Sequence, residues 1–236
     1  MRVNQQAAYV LHTRPYSESS LIVEIFSATY GRFVVLAKGA RRVKSRVRGL
    51  LQPFQPLMVS WSGKGEMPTL TQVELNGRYQ WLDYKSRVCG FYANELMMKM
   101  LQRRDPHQQL FQDYDVLMQC LSVNSKRELA LRRFEKALLQ ETGYALILDH
   151  ETEKQQPLLD DRLYRYIPES GPVYDPRGIK DSPLVVLGIV LNSIDSDNYT
   201  DDWVMHDAKQ FMRRILQIMM GNKPLRSRDL LYHSIK

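Results

Sequence analysis

"SSLIVEIFSATYGRFVVLAKG", Ser19 to Gly39, decides the fold of the chain. Two runs rich in Ile, Val and Phe flank the turn "TYGR", the pattern of two strands joined by a hairpin. Gly31 supplies the positive φ that a tight hairpin demands. The same reading extends outward, to "AAYVLHTR" before this pair and to "LMVSW", the turn "SGKGE" and "TLTQVEL" after it. Gly63 and Gly65 serve the second hairpin. Five short strands precede Asn76, with no helical period among them. That arrangement predicts a small closed or nearly closed barrel, for which an OB-fold is the economical choice. Pro53 and Pro56, just past Leu51, predict that the strand beginning there is an edge or starts with a bulge.

From Asp83 the period changes. Val88, Phe91, Tyr92, Leu96 and Met100 recur at helical spacing, and a second helix is expected over "HQQLFQDYDVLMQCL". A third is bounded by Ser125 with Glu128, a capping-box pattern, and by Gly143 after "LRRFEKALLQET". Residues 145–183 hold five prolines and no sustained period, and predict an irregular excursion with a short β-ribbon around "LYRYIPESGPVY". "PLVVLGIVLNS" reads as a short buried helix. "TDDWVMHDAKQFMRRILQIMM" reads as a helix capped by Thr200 and closed at Gly221, with Pro224 blocking its continuation. A final helical turn is expected over "SRDLLYHS". The expected class is α+β, with a five-stranded OB-fold barrel over 1–80 followed by a mainly α-helical domain over 81–236.

Composition fits an ordinary globular chain, with 44 % apolar and 25 % charged residues. No apolar span is long enough to cross a membrane, and "MRVNQQAAYVLHTRPYSE" lacks the features of a secretory signal, so a cytoplasmic location is expected. The net charge of +7 is unevenly spread: residues 1–80 hold 11 Lys and Arg against 4 Asp and Glu, and the remainder balances at 22 against 22. Between Lys38 and Arg48 stand six basic side chains and no acid. Lys38, Arg41, Arg42, Lys44, Arg46 and Arg48 thus lie between two strands of the expected barrel, where a loop can track a phosphate backbone. Tyr16, Tyr30, Phe33, Phe54 and Trp61 in the same region are candidate stacking platforms for unpaired bases. Each of these aromatics taken alone reads more readily as core.

Enzymatic constellations are scarce. "SGKGEMP" lacks the spacing of a phosphate-binding loop, and "DSDN" at Asp195 lacks the later glycine and glutamate of a calcium loop. The five histidines are dispersed, so no catalytic residue is assigned and the chain is not expected to be an enzyme. Cys89 and Cys120 stand 31 positions apart without a C-x-x-C motif, which excludes a cysteine-based zinc site and leaves no cofactor or metal.

The capped helix carries a second candidate surface. On a helical wheel Leu131, Phe134 and Leu138 share one side and Arg132, Arg133 and Lys136 the other, with Leu129 and Leu139 among the cations. An apolar strip bordered by guanidinium groups suits a peptide bearing carboxylates and aromatics. Arg132, between Leu129 and Leu139, is the first choice for a clamp and Arg133 the second. A plain solvated helix face is the competing reading.

Together these blocks resemble a known family, the bacterial DNA repair and recombination mediators of the RecO type. The resemblance is carried by "YVLHTRPYSESSLIVEIF", "YGRFVVLAKGAR" and "LLQPFQPL", then by "YANELMMKML", "LRRFEKALLQETGY" and "GNKPLRSRDLL". It implies an OB-fold followed by a helical domain, binding of single- and double-stranded DNA, and annealing of complementary strands. It also implies work with RecR to load RecA onto strands coated by the single-stranded-DNA-binding protein, whose acidic C-terminal tail such proteins contact. Many members carry a cysteine-ligated zinc after the "GY" motif; here "GYALILDHETEKQQP" has no cysteine, so that segment is expected to be held by packing alone. An OB-fold protein acting on structured RNA would show the same basic barrel.

Overall fold

The fold is taken from a computed structural model, which describes residues 2–78, 81–178, 184–221 and 223–228. The five expected strands form: β1 (Arg2–Tyr16), β2 (Ser20–Ser27), β3 (Gly31–Ala37), β4 (Pro56–Ser62) and β5 (Thr69–Leu75). They close in the order β1-β2-β3-β5-β4, antiparallel except for one parallel seam where Leu36 of β3 meets Thr69 of β5. Val10, Val23, Ile25, Phe33, Val35, Leu57, Val59 and Trp61 fill the interior. Phe33 and Trp61 meet there in a tilted contact with ring centroids 4.9 Å apart, an aromatic contact adding about 0.5–1.5 kcal/mol beyond its area burial. The expectation of an edge strand after Leu51 is corrected. β4 lies between β1 and β5, and Pro56 is tolerated because it is the strand's first residue. The backbone irregularity falls earlier, at Phe54, whose φ is +74°.

The middle of β1 and most of β2 are buried on both faces, which explains why "AAYVL" and "LIV" read as continuous apolar runs rather than as clean alternation. Their outer faces are covered by α2 (Tyr84–Met100) and α3 (Gln108–Leu121). A bulge in β1 skips Leu11 in the register between Val10 and His12. The Leu11 carbonyl accepts from Asn94 Nδ2 at 2.9 Å, and Asn94 Oδ1 in turn accepts from the Tyr114 hydroxyl at 2.5 Å. Asn94 and Tyr114 are fully enclosed, so these bonds offset the cost of burying their polar atoms. Tyr9 donates its hydroxyl to Asp115, and burial first, then that carboxylate, raises its pKa far above the ordinary phenol value. Packing accordingly gathers Met1–Ala130, with the chain end from Leu225, into one compact unit, while Leu131–Pro224 forms a second.

That chain end is clamped by one carboxylate. Glu95 of α2 accepts from the Arg226 N–H at 3.0 Å, and from the Ser227 N–H and hydroxyl at 2.8 Å each. Burial alone would raise its pKa, but the Ser227 and Arg226 donors and Lys99 hold it below the ordinary carboxylate value. A depressed acid stabilises the clamp above its unfolded pKa, and that contribution fades as pH falls through the lower folded value. Charge-assisted bonds contribute about 1.5–3 kcal/mol, so Glu95→Gln is expected to speed amide exchange at Ser227 roughly tenfold or more at neutral pH. As pH falls through that lowered value the wild type should approach the variant, because Glu95 becomes protonated. Equal exchange at neutral pH would show that the clamp contributes nothing.

The third helix, α4 (Arg127–Glu141), follows a 3₁₀ turn at Asn124–Lys126, so Ser125 lies inside that turn. Its expected stop is found. Gly143 has φ +84°, its N–H donates to the Gln140 carbonyl and the Tyr144 N–H to the Leu139 carbonyl, the paired bonds of a Schellman end. Within the second unit the expected ribbon is present as β6 (Leu163–Ile167) and β7 (Gly171–Tyr174). "PLVVLGIVLNS" is corrected: Val185–Leu187 form β8, paired with β6, and only then does α5 (Gly188–Ser196) begin. α6 (Asp202–Met219) starts from Asp201 rather than Thr200 and ends before Gly221. The excursion is held by more than apolar packing: the Tyr166 hydroxyl accepts from the Ile147 N–H, and the Tyr164 hydroxyl from the Leu159 N–H. Of "SRDLLYHS", Ser227 and Arg228 belong to a 3₁₀ turn at Arg226–Arg228, and the rest of the expected helical turn falls outside the described residues. Among the described residues no helix is long and apolar enough to cross a membrane, and no group of three or more His, Cys, Asp and Glu side chains is placed to share a metal ion.

Candidate nucleic-acid interface

The basic run leaves β3 at Ala37 and does not pass straight into the next strand. It closes with a single helical turn, α1 (Val47–Leu50). Ala40 is buried in the barrel cluster, and Val47 and Leu50 pack against it, so apolar anchors grip the segment at both ends. Lys38, Arg41, Arg42, Lys44, Arg46 and Arg48 all point outward and are exposed. Val43, at the crest of the loop, is almost fully exposed as well. Arg41 is also structural: its N–H donates to the Ser19 carbonyl at 2.8 Å and its Nη1 to the Ser17 carbonyl at 2.9 Å. These bonds fasten the loop to the β1–β2 turn, one of the regions flanking the ligand face of OB-folds. The acid of β2 cannot neutralise the loop, since Glu24 is engaged by Arg32 at 2.7 Å and Arg103 at 3.3 Å. Five outward cations on an anchored frame, with Arg41 as a sixth that doubles as a strut, produce a concentrated positive field.

The expected stacking platforms are mostly corrected. Phe33, Phe54 and Trp61 are buried, because residues of the β3–β4 region alternate into the barrel or, at Phe54, into a contact with Phe91 of α2. Tyr30 is half-buried with its ring edge against Trp61, which leaves Tyr16 as the exposed member. The outer face of β2 and β3 is not open either, since Phe26 packs on Phe111 and Ile22 and Val34 are buried. Sequence reading missed Trp81, 82 % exposed, which lies between β5 and α2 where no periodic signal marks it.

On α4 the two-faced wheel does not survive in the fold. Arg132 is buried, only 4 % exposed, and donates to Glu135, itself fully buried, at 2.7 Å. Leu139 is fully buried and Leu129 half-buried. On the cationic side, expected to hold a peptide, Lys136 is engaged by the end of α5: it donates to the Ile194 and Asp195 carbonyls at 2.8 Å each and meets Asp197 at 3.0 Å, capping that helix. Arg133 stays exposed at 56 %, with Asp197 3.4 Å from its Nε. The Nε and Nη1 of Arg132 and the hydroxyl of Tyr199 are buried without a hydrogen-bond partner. Burial first, then Asp197, keeps that hydroxyl protonated far above its ordinary pKa, so it remains a donor.

The fold and the loop define a class: a five-stranded OB-type barrel with a cationic β3–β4 loop, continued by helical and mixed segments. Comparison with known proteins supplies the family. A model of the recombination protein O N-terminal region matches residues 1–79, and one of its C-terminal region matches residues 82–229. DNA repair protein RecO of Dechloromonas aromatica is 42 % identical over 232 residues, covering 97 % of this chain and 95 % of that protein. The RecO of Nitrosospira multiformis is 42 % identical over 230 residues, covering 98 % and 95 %, and that of Coxiella burnetii 38 % over 231 residues, covering 98 % and 99 %. The chain belongs to the RecO family of DNA repair proteins.

Proposed function

We propose that the chain binds DNA through the β3–β4 loop, anneals complementary strands and acts with RecR to load RecA onto coated single strands. The observation that carries this reading is the outward set Lys38, Arg42, Lys44, Arg46 and Arg48, held on buried apolar anchors and tied by Arg41 to the β1–β2 turn. Cations so placed take up phosphates of two strands at once and screen their repulsion, while base edges stay free to pair. Pairing is downhill, so no nucleotide hydrolysis is needed. The acidic tail of the single-stranded-DNA-binding protein is assigned to the surface of α4 at the exposed Arg133, next to the buried Arg132. Two unbonded guanidinium nitrogens and the Tyr199 hydroxyl are donors suited to a carboxylate.

The test is an annealing assay on complementary strands coated either with the full single-stranded-DNA-binding protein or with a form lacking its tail. Faster annealing than the spontaneous rate on naked strands, and on coated strands only when the tail is present, is the expected result. No acceleration on naked strands would refute the annealing reading, and indifference to the tail would refute the α4 assignment.

A further inference from the structure

Trp81 belongs to a cleft of about 370 Å³, formed by residues 52–55 on one wall and by the first turns of α2 on the other. Such a volume is in the range of small-ligand sites. Trp81, Tyr84 and Phe91 are all exposed at this one place, although they come from a linker and two turns of a helix. The floor is Phe54, whose ring meets Phe91 at 4.9 Å in a T-shaped contact and lies so close to α2 that a Cβ at Gly90 would fall 2.6 Å from it. Arg87 lines the cleft and is exposed. The nearby carboxylate at this end of α2, Asp83, is occupied by the Ser86 N–H at 2.7 Å and by Arg127 at 3.3 Å. The cleft therefore presents aromatic faces bordered by a cation.

Its position indicates the occupant. The basic loop runs through α1 directly into the cleft wall, and Gln52 Nε2 donates back to the Arg48 carbonyl at 3.2 Å. In the chain the loop cations Lys44, Arg46 and Arg48 thus lead directly to Gln52 of the cleft wall. We propose that this cleft is a base-stacking subsite for single-stranded nucleic acid, in which an unpaired base lies on the Trp81 indole while Arg48 and Arg87 hold the flanking phosphates. The assignment rests on the nucleic-acid reading above and adds to it a contact with the base rather than the backbone. Stacking tolerates any base, since each has a π-face, which suits a protein that must hold strands of arbitrary sequence.

The experiment compares wild type, Trp81→Ala and Trp81→Phe on a short oligothymidylate and on the same oligomer made abasic throughout. The wild type should prefer the base-bearing oligomer by about tenfold, the usual size of one stacked base. Trp81→Ala should lose that preference and bind the abasic oligomer as the wild type does, with the same salt dependence; Trp81→Phe should keep most of it. Because Trp81 is largely exposed, the variants should retain the wild-type unfolding midpoint, which a denaturant titration checks. If Trp81→Ala keeps the full preference, the subsite is wrong while the basic loop stands. Absence of binding to both oligomers by the wild type would remove the nucleic-acid reading itself. Loss of affinity for the tail peptide instead of the base increment would make the cleft a protein-docking site and overturn the proposal.

Discussion

Replacing Arg42, Lys44, Arg46 and Arg48 together by alanine is expected to weaken binding of single-stranded DNA by several hundred-fold near 0.1 M salt. Each lost phosphate contact on a single strand removes about 0.7 from the log-log salt slope, so four contacts flatten it by up to about 2.8, and at ~0.1 M salt that difference alone is a factor of several hundred. Arg41 is left in place because its bonds to the Ser17 and Ser19 carbonyls hold the loop against the β1–β2 turn, and its removal would mix a structural effect with an electrostatic one. The four replaced side chains are exposed and the loop keeps its buried anchors, so the unfolding midpoint should stay within the small range of surface substitutions. Affinity measured across a salt series decides the matter. An unchanged slope would reduce the whole run to a solvated loop, whatever its net charge.

Gly31→Ala should be among the most damaging single-methyl changes available to this chain. Gly31 sits at φ +62°, where a Cβ costs roughly 1–2 kcal/mol by itself. Its Cβ would also stand 2.0 Å from the Asp105 carbonyl oxygen, a backbone atom that cannot swing aside. The segment is pinned, since the Arg104 N–H donates to the Arg32 carbonyl at 2.8 Å and the Arg32 guanidinium to the Leu101 carbonyl at 2.9 Å. Relief requires parting the β2–β3 hairpin from residues 101–105, and a loss of about 3–5 kcal/mol is expected. Gly77→Ala is the control: φ is +104° but nothing lies within 4 Å of the added carbon, so only the conformational cost applies. Denaturant midpoints of the two variants should differ clearly. Equal losses would mean that the close approach of Asp105 yields readily and that backbone conformation alone sets the cost.

Four of the five strands of the barrel were legible to within two residues at each end, and β1 was read five residues short at its start, because β-branched runs bounded by Gly and turn residues have few other solutions in a short chain. So was the end of α4, where Gly143 meets a left-handed requirement that other residues resist. The six cations of the β3–β4 loop were legible as a charge excess, since charge density needs no fold to be counted. Family membership, too, followed from the order of sequence blocks and is shown by full-length relatives. Other features depended on contacts between segments distant in sequence. "VVLGIVL" is apolar in both periods, and only pairing with β6 makes its first part a strand. A wheel describes one helix in isolation, so it placed Arg132 among the outward cations; in the fold its guanidinium is buried on Glu135 of the same helix, and Lys136 is taken up by α5, more than fifty residues later. Phe33, Phe54 and Trp61 carry the same chemistry as Trp81, yet three are core and one is surface. Which of them a ligand can reach is set by what lies across from each backbone position, and that is a property of the closed barrel and the helices laid on it rather than of any local stretch of sequence.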